Sequence, residues 1–418
     1  MNRFSKTLIC AGMAAIMALT GCGGKGDIDL KENAKSVNEL SIPEGVRIVG
    51  LGEAAHGNKE FQELKLEVFK LLVENYGVRA FCLEGDEGNY KKVDAYIKGE
   101  DVTLDEAMEA LTFTIYKTNE SKDLLEWMKE YNASHDDKVS FYGIDMQSVE
   151  GNVEFVCNAF KSYPSLNKFN ADEFEKAFAP GSDASLDTMG SLIVDARKEM
   201  ENESEGIIED VSKETYDEIL HALRVLEQHT ILEDAYKNNP GEYSNVRDNF
   251  MAENVEWLLK KEESLGRSMI FVTGHNGHIG KVSESSFVQK ETLGSHLKDE
   301  FGDAYYAIGT DYYHAKANIA SQSSGKRGNH SFTSGDPLAK LSKNYPDKMY
   351  MLQFNEIDEN DEVWNVINAP MTMGSLGEGY SFLMHIMKNT VRLNIIPTQK
   401  YDAMIFIYNT TPLDLIEK

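Results

Sequence analysis

Cysteine and positive charge are both scarce in this chain of 418 residues. Its four cysteines are too few for a framework of several disulfides, so an apolar core is expected to hold the fold. The 69 acidic residues outnumber the 42 basic ones, which gives a formal net charge of −27. Such a charge repels nucleic acids and anionic membrane surfaces, and we therefore expect no nucleic-acid partner.

Motifs of several common enzyme classes are also missing. The chain has no Gly-x-x-x-x-Gly-Lys-Ser/Thr pattern, and Gly-x-Gly-x-x-Gly occurs only at residues 21–26, next to the N-terminal apolar stretch and not between a predicted strand and helix, which argues against a nucleotide cofactor. It has no Gly-x-Ser-x-Gly, the elbow that carries the nucleophile of many serine hydrolases, and no His-Glu-x-x-His zinc motif. We therefore predict no cofactor and no ordinary serine nucleophile.

The first 21 residues have the features of an export signal peptide. Arg3 and Lys6 precede an apolar stretch from Leu8 to Leu19, which is shorter than a transmembrane helix. The sequence Leu-Thr-Gly-Cys that ends at Cys22 resembles the bacterial lipobox, so Cys22 is expected to carry a lipid that anchors the mature protein to a membrane. Residues 22–38 would then form a tether. The chain is thus predicted to be a lipoprotein of the cell envelope, with an ordinary secretory signal as the alternative.

From residue 39 to residue 418, strand-like segments alternate with helical patterns. This alternation predicts an α/β domain with a mostly parallel sheet flanked by helices. About a hundred residues between the third and fourth strands, roughly 150–261, show helical periodicity, and we predict a helical insertion or cap there. The predicted strands are Val46–Leu51, Arg79–Leu83, Val139–Ile144, Ser268–Thr273, Ala304–Gly309, Met349–Phe354 and Ala403–Tyr408.

Polar side chains follow the ends of the first five predicted strands. Because the carboxyl ends of parallel strands meet at the ligand-binding edge of a sheet, these side chains predict a shared cleft. Histidines there are suited to proton transfer near neutral pH. Histidine and carboxylate are also ligands of zinc, so a metal site and simple turn-capping histidines remain alternatives. The residues are Glu53 and His56; Glu84 and Asp86; Asp145 and Gln147; His275 and His278; and Asp311.

Three polar residues interrupt the apolar faces of two predicted helices. Lys65 falls in the middle of one such face, where a charge needs a partner, and we expect it to reach Glu53 or Glu84. The alternative is that its stem packs on the core while its ammonium group reaches the surface. Arg247 and Asn254 occupy the apolar face of the other helix. They are expected either to line the cleft or to tie the helical insertion to the sheet.

All of these residues except Asp86 and Asp311 lie in six ordered segments that resemble the erythromycin esterase family, from about residue 39 to residue 412. The resemblance implies hydrolysis of a lactone or other ester without a covalent intermediate, with His56 as the base that activates water. Glu53, Glu84, His275 and His278 complete the implied catalytic group, and Lys65 occupies a position that can be arginine in the family. The segments are 50–57 with Phe61 and 64–65, 83–85, 142–147, 247–254, 274–278 and 292–294.

The sequence therefore predicts a hydrolase that acts on a small-molecule ester or lactone, with the substrate open and a macrolide-like lactone among the candidates. His275, Lys65 or Arg247 would stabilise the oxyanion, and Arg247, Asp145, Gln147 and Asn254 are candidates for substrate contacts. Two alternatives use the same cluster: a hydrolase that depends on a divalent metal, and a non-catalytic envelope lipoprotein that binds a ligand. The export signal argues against macrolides, because the antibiotic-inactivating members of the family resemble cytoplasmic enzymes.

Overall fold

A computed structural model describes residues 28–30, 32–166, 168–283 and 291–416. The predicted signal peptide and the predicted lipidation site at Cys22 lie outside the described residues. The strands are β1 (Ile48–Glu53), β2 (Ala80–Asp86), β3 (Ser140–Asp145), β4 (Ile270–His275), β5 (Tyr305–Ser321), β6 (Arg327–Thr333), β7 (Met349–Gln353), β8 (Met371–Gly374), β9 (Gly379–Tyr380), β10 (Arg392–Ile395) and β11 (Ala403–Thr410).

Helices connect most of these strands. They are α1 (Lys59–Tyr76), α2 (Tyr90–Lys98), α3 (Leu104–Ala110), α4 (Asn119–Ser134), α5 (Glu150–Ser162), α6 (Ala171–Phe178), α7 (Leu186–Asn202), α8 (Ser204–Val211), α9 (Lys213–Asn238), α10 (Tyr243–Ser264), α11 (Asn276–Ile279), α12 (Leu293–Phe301), α13 (Pro337–Leu341), α14 (Glu362–Ile367), α15 (Leu383–Ile386) and α16 (Pro397–Lys400). In the described ranges, none of them combines the length and the apolar character that crossing a bilayer requires.

The strands form one large mixed sheet and one small ribbon. The order in the large sheet is β3-β2-β4-β1-β5-β11-β7. The first six strands of this order run parallel, and β7 is antiparallel to β11. Strands β8 and β10 pair separately as an antiparallel ribbon. The predicted α/β architecture with a mostly parallel sheet is therefore confirmed.

Strand β5 is much longer than the sequence indicated. The prediction ended at Gly309, whereas the strand continues to Ser321 and pairs there with β6, antiparallel, and with β9, parallel. Beyond residue 312 its side chains alternate, with Ala315, Ala317 and Ile319 buried and the residues between them more exposed. The serine-rich segment 321–329 is the turn of this hairpin and the start of β6.

Helices cover both faces of the sheet and create two apolar cores. Helix α1 buries Phe61, Val68, Phe69 and Leu72 against one face, as its helical spacing predicts. It ends at Gly77, which has a φ of 68° and donates its backbone N–H to the carbonyl of Leu72. Helix α10 packs against β3 and β4 on the other face.

The described residues between β3 and β4 form helices and no strand, as predicted. Helices α5 to α9 share a third apolar core, to which Phe174, Ile193, Ile219 and Leu223 contribute fully buried side chains. Helix α10 closes the insertion and returns the chain to the sheet. This return brings residues of α10 next to the ends of β2 and β3, where the polar side chains lie.

Candidate active site

The predicted polar residues converge at the carboxyl ends of β1, β2 and β4. Glu53 and His275 are register partners on the adjacent strands β1 and β4. Two glycines make the close packing there possible. A Cβ at Gly52 would lie 2.2 Å from Asn276 Oδ1, and one at Gly274 would lie 2.8 Å from Glu84 Oε2. The Glu84 side chain can therefore lie across the end of β4 only because residue 274 has no side chain.

The first part of the cluster, here called the Glu53 half, consists of Glu53, His56, Gln62 and Lys65. His56 Nδ1 lies 2.7 Å from Glu53 Oε1. The second oxygen, Oε2, accepts from Gln62 Nε2 at 2.8 Å and lies 3.0 Å from Lys65 Nζ. Lys65 therefore reaches Glu53, which was one of its two expected partners, and its ammonium group also lies 4.7 Å from the ring centre of Tyr116.

Glu53 is charged despite being buried. Burial alone raises the pKa of a carboxyl group, but Lys65 and His56 outweigh it and lower the pKa of Glu53 to about 2. An ionised carboxylate accepts hydrogen bonds and cannot donate one, so Nδ1 of His56 carries the proton of their shared hydrogen bond. In the neutral ring, Nε2 is then the basic nitrogen.

His275 joins the two parts of the cluster. Its ring centre is 4.7 Å from that of His56, and its backbone N–H donates to Glu84 Oε2 at 2.8 Å. Its Nδ1 accepts from the backbone N–H of Gly277 at 3.1 Å, at the start of α11. Because Nδ1 is an acceptor, the neutral ring of His275 carries its proton on Nε2, which makes it a hydrogen-bond donor beside His56.

The second part, here called the Glu84 half, consists of Glu84, Asp145, Arg247, Asp248 and His278. Arg247 Nη2 donates to Glu84 Oε1 at 2.9 Å and to Asp145 Oδ2 at 2.6 Å. His278 Nδ1 lies 2.8 Å from Asp248 Oδ1, and its Nε2 lies 3.2 Å from Glu84 Oε1. Asp248 also accepts from the backbone N–H of Leu293, which fixes the carboxylate at the start of α12.

The charges in the Glu84 half make His278 a cation. Burial lowers the pKa of an imidazole, but Asp248 and Glu84 outweigh it and raise the pKa of His278 to about 10. Arg247 Nη1 also lies 3.1 Å from His278 Nε2. A protonated Nε2 donates to Glu84 and cannot also accept from Arg247. We therefore interpret Arg247 and His278 as two neighbouring cations that the carboxylates of Glu84, Asp145 and Asp248 hold together. His278 therefore does not act as a base at neutral pH.

The cluster is largely buried but reaches solvent at a few side chains. The carboxylates of Glu53 and Glu84 are only 2% and 7% exposed. The side chains of His56, Arg247 and His278 are 13%, 12% and 15% exposed, respectively. An external molecule can thus approach the imidazoles, while the carboxylates behind them remain buried.

The remaining predicted substrate contacts lie behind this surface. Asp145 is fully buried and binds Arg247, the Gln147 carboxamide and a backbone N–H. Gln147 is half-buried and also accepts from the Tyr243 hydroxyl at 3.1 Å. Asn254 is fully buried; its carboxamide bonds to the carbonyl of Ile144 and to Gln228. Asn254 thus ties the insertion to β3, whereas Arg247 both ties α10 to the sheet and belongs to the cluster.

Asp86 and Asp311 were also expected in the cleft, and neither belongs to the cluster. Asp86 accepts from the backbone N–H of Ser148, and burial raises its pKa to about 6. Asp311 lies within β5 instead of at its end, because the strand continues to Ser321. Burial and the neighbouring Asp336 carboxyl raise the pKa of Asp311 well above its ordinary value.

The donor set does not fit a metal ion. In the part of the chain that the structure describes, no group of three or more His, Cys, Asp or Glu side chains is arranged to hold one. The carboxylate oxygens that a metal would need are bonded to Lys65, Gln62, Arg247 and His278 instead. The metal-dependent alternative therefore lacks the free ligands it requires.

Two residues of the cluster and one neighbour of Lys65 were not assigned roles from the sequence. Gln62 lies three residues before Lys65 on the buried face of α1, so the reasoning that selected Lys65 could have selected it. Asp248 stands next to Arg247, but its partner His278 is distant in sequence. Tyr116 lies in a short 3₁₀ segment that carries no pattern in the sequence.

In this α/β protein, buried carboxylates paired with histidines lie at the carboxyl edge of the parallel part of the sheet. Residues 73–410 match the sequence profile of the erythromycin esterase family. Erythromycin esterase type II of Escherichia coli is 24% identical over 293 residues, which are 64% of this chain and 69% of that protein. The putative hydrolase YbfO of Bacillus subtilis is 24% identical over 323 residues, 67% of this chain and 68% of that protein. The chain belongs to the erythromycin esterase family.

Solved structures show the same fold. A Bacillus cereus protein superposes with a TM-score of 0.77 at 24% identity, over 93% of this chain and 98% of its own. An erythromycin esterase mutant, EreC, in its open conformation superposes with a TM-score of 0.66 at 16% identity, over 92% of this chain and 99% of its own. These shares of the chain are large enough that both superpositions include residues before position 73, where the family profile match begins.

Proposed function

We propose that this protein hydrolyses an ester or lactone with water activated by His56. The observation that supports this proposal is the contact of His56 with the ionised Glu53 on one side and with the ring of His275 on the other. A base needs an oriented ring with a lone pair that faces the reactants, and Glu53 provides that orientation. Membership of the erythromycin esterase family supports the choice of an ester as substrate.

In the proposed reaction, Nε2 of His56 removes a proton from water while the water oxygen attacks the ester carbonyl carbon. The carbonyl oxygen, on which negative charge develops, accepts a hydrogen bond from Nε2 of His275. When the tetrahedral intermediate collapses, the carbon–oxygen bond to the alcohol breaks and His56 returns its proton to the leaving alkoxide. The products are a carboxylic acid and an alcohol, and no covalent enzyme intermediate forms.

Lys65 and Arg247 have a supporting electrostatic role in this proposal. Each is bonded to a buried glutamate, so its charge keeps that glutamate ionised and fixed in place. Neither cation needs to contact the substrate to do this. Of the two cations, Arg247 is the candidate for an additional contact with the developing oxyanion, because its side chain is 12% exposed.

The experiment is to compare wild type, His56→Ala and His135→Ala on a panel of aryl esters, macrolides and smaller lactones. His135 is an exposed histidine that bonds only to its own helix, so its replacement is a matched control. We expect His56→Ala to lose about 10² to 10⁴ in kcat while it remains folded, because that is the usual contribution of a general base. Near-normal turnover by folded His56→Ala would refute the assignment.

The same panel separates hydrolysis from binding alone. A non-catalytic lipoprotein would be stabilised against thermal unfolding by a member of the panel without converting it. A hydrolase would release acid, which a pH indicator detects. The substrate class follows from the compound that is converted with the highest kcat/KM.

We also propose that the chain is exported and lipidated at Cys22. The support is the lipobox-like sequence and the preceding apolar stretch. Metabolic labelling with a radioactive fatty acid should mark the wild type and leave Cys22→Ala unlabelled. Equal labelling of both proteins would contradict the proposal.

A further inference from the structure

Two stretches of the C-terminal half contain no acidic residue, although 69 of the 418 residues of the chain are aspartate or glutamate. They are residues 312–335 and 379–400. Both stretches carry lysine, arginine and histidine, so each is positively charged within a strongly acidic protein. The net charge of the whole chain therefore does not describe this part of its surface.

The two stretches pack against each other in the structure. The ring of His330 in β6 stacks on Tyr380 in β9 with the centres 3.4 Å apart. The ring of Phe332 stacks on His385 in α15 at 5.2 Å. Arg392 donates from Nη2 to the carbonyl of Thr333 at 2.7 Å. Sequence segments that are separated by more than forty residues thus form one surface.

A groove of 590 Å³ lies between the two stretches. Basic side chains contribute to its wall, and the described residues that line it include no carboxylate. Lys316 and Lys388 are exposed, so their ammonium groups are available to an external partner. The basic lining residues are His314, Lys316, His385, Lys388 and Arg392.

An apolar tip projects beside this groove. Met384 anchors the short helix α15 in the core, while its neighbours point outward. Phe382, Leu383, Ile386 and Met387 are 68%, 56%, 66% and 47% exposed. Elsewhere in the described ranges, no two consecutive large hydrophobic residues are this exposed. A contiguous apolar group of this kind indicates a surface that meets a partner.

We infer that the tip and the groove together form a docking surface for an anionic lipid bilayer. The tip supplies apolar side chains that can enter the boundary between headgroups and acyl chains. The groove supplies cations that attract acidic headgroups. At physiological ionic strength charges are screened within about 8 Å, so the acidic remainder of the protein repels such a membrane only weakly when this surface faces it.

The segment that leads to the tip contacts the backbone of His56. The carbonyl of Leu376 accepts from the backbone N–H of His56 at 3.2 Å, and the tip begins six residues later at Phe382. The docking itself does not depend on the hydrolysis proposed for His56.

The test places an environment-sensitive fluorophore on the tip of the full-length chain. Ile386→Cys is labelled in a background with Cys10→Ala and Cys22→Ala, so that no acyl chain is attached and the only other cysteines are the buried Cys82 and Cys157. The control is Ile231→Cys in the same background, an isoleucine on α9 that is 42% exposed. Both proteins are titrated with vesicles of phosphatidylcholine, alone or mixed with phosphatidylglycerol.

We expect the emission of the label at residue 386 to rise and shift to the blue with the anionic vesicles, and the label at residue 231 to stay unchanged. Replacing Lys316 and Lys388 with glutamine should weaken the vesicle affinity by roughly thirtyfold, because each lysine near an anionic surface contributes about a fivefold factor. The matched control is Lys198→Gln with Lys260→Gln, two exposed lysines on α7 and α10.

Three results would overturn the inference. The label at residue 386 could stay unchanged with all vesicles, or respond equally to neutral and anionic vesicles, which would remove the role of the groove. A response to protein concentration without vesicles would identify a second copy of the chain as the occupant. Circular dichroism of each variant ensures that a lost signal reports docking and not unfolding.

Discussion

Glu53 and Glu84 are two buried carboxylates on either side of β4, and the cluster uses them differently. Glu53 contacts one lysine and the imidazole of His56, whose second nitrogen can exchange protons. Glu84 contacts a guanidinium and the imidazole of His278, which a further carboxylate also holds. The same pair of residue types, glutamate and histidine, thus gives an oriented base in one half and a fixed cation in the other.

The difference arises from the number of charges in each half. In the Glu53 half, one ammonium group pairs with one carboxylate. In the Glu84 half, three carboxylates outnumber one guanidinium, and the nearby charges of Asp248 and Glu84 raise the pKa of His278. In the proposed reaction, the Glu53 half carries the chemistry, and the Glu84 half holds the backbone of His275 and the ends of the strands in place.

The largest expected effect is on turnover, and it compares the two glutamates directly. Glu53→Gln should lower kcat by up to about 10⁴, because an amide can donate to His56 Nδ1 and impose the wrong tautomer, as in serine protease triads. Glu84→Gln should cost much less, because Glu84 contacts His275 only through its backbone N–H. The measurement is steady-state hydrolysis with near-UV circular dichroism as the folding control. Equal losses of kcat in the two folded variants would contradict the distinction between the Glu53 half and the Glu84 half.

The second expected effect is on stability and concerns Arg247. Arg247→Met leaves Asp145 buried without a cation and Glu84 with only His278, and we expect a loss of about 3–5 kcal/mol in the free energy of unfolding. Arg224→Met is the matched control: this arginine on α9 also pairs with two glutamates, but its side chain is 34% exposed. Its loss should stay within about 1 kcal/mol. Denaturant unfolding of both variants would show whether burial makes the difference.

Much of the cluster could be predicted from the sequence, because the residues that form it follow strand ends. Parallel strands bring their carboxyl ends to one edge, so Glu53, Glu84 and His275 had to be near one another once the sheet was recognised. The same argument placed Lys65, since a charge on a buried helix face needs a partner. These inferences use only periodicity and the geometry of the α/β fold.

The remaining features depend on tertiary contacts that no local pattern records. The extension of β5 was missed because its pairing strand, β6, begins inside a serine- and glycine-rich segment that is typical of a loop. The consequence was the wrong placement of Asp311 at a strand end. The protonation of His278 depends on Asp248, whose carboxylate comes from a different helix thirty residues earlier. Net charge likewise gave no indication that one surface is basic.

The last expected effect is the pH dependence of stability, which tests whether His278 is the fixed cation of the comparison. The pKa of His278 is about 10 in the folded protein and about 6.5 in the unfolded chain. Because folding raises this pKa, the contribution of His278 is fully present below pH 6.5 and is lost as the pH rises through 10. The difference in free energy of unfolding between wild type and His278→Gln should therefore shrink across that range, since all other titrating groups are common to both proteins. Denaturant unfolding at several pH values measures it; a constant difference would mean that His278 is neutral and accepts from Arg247.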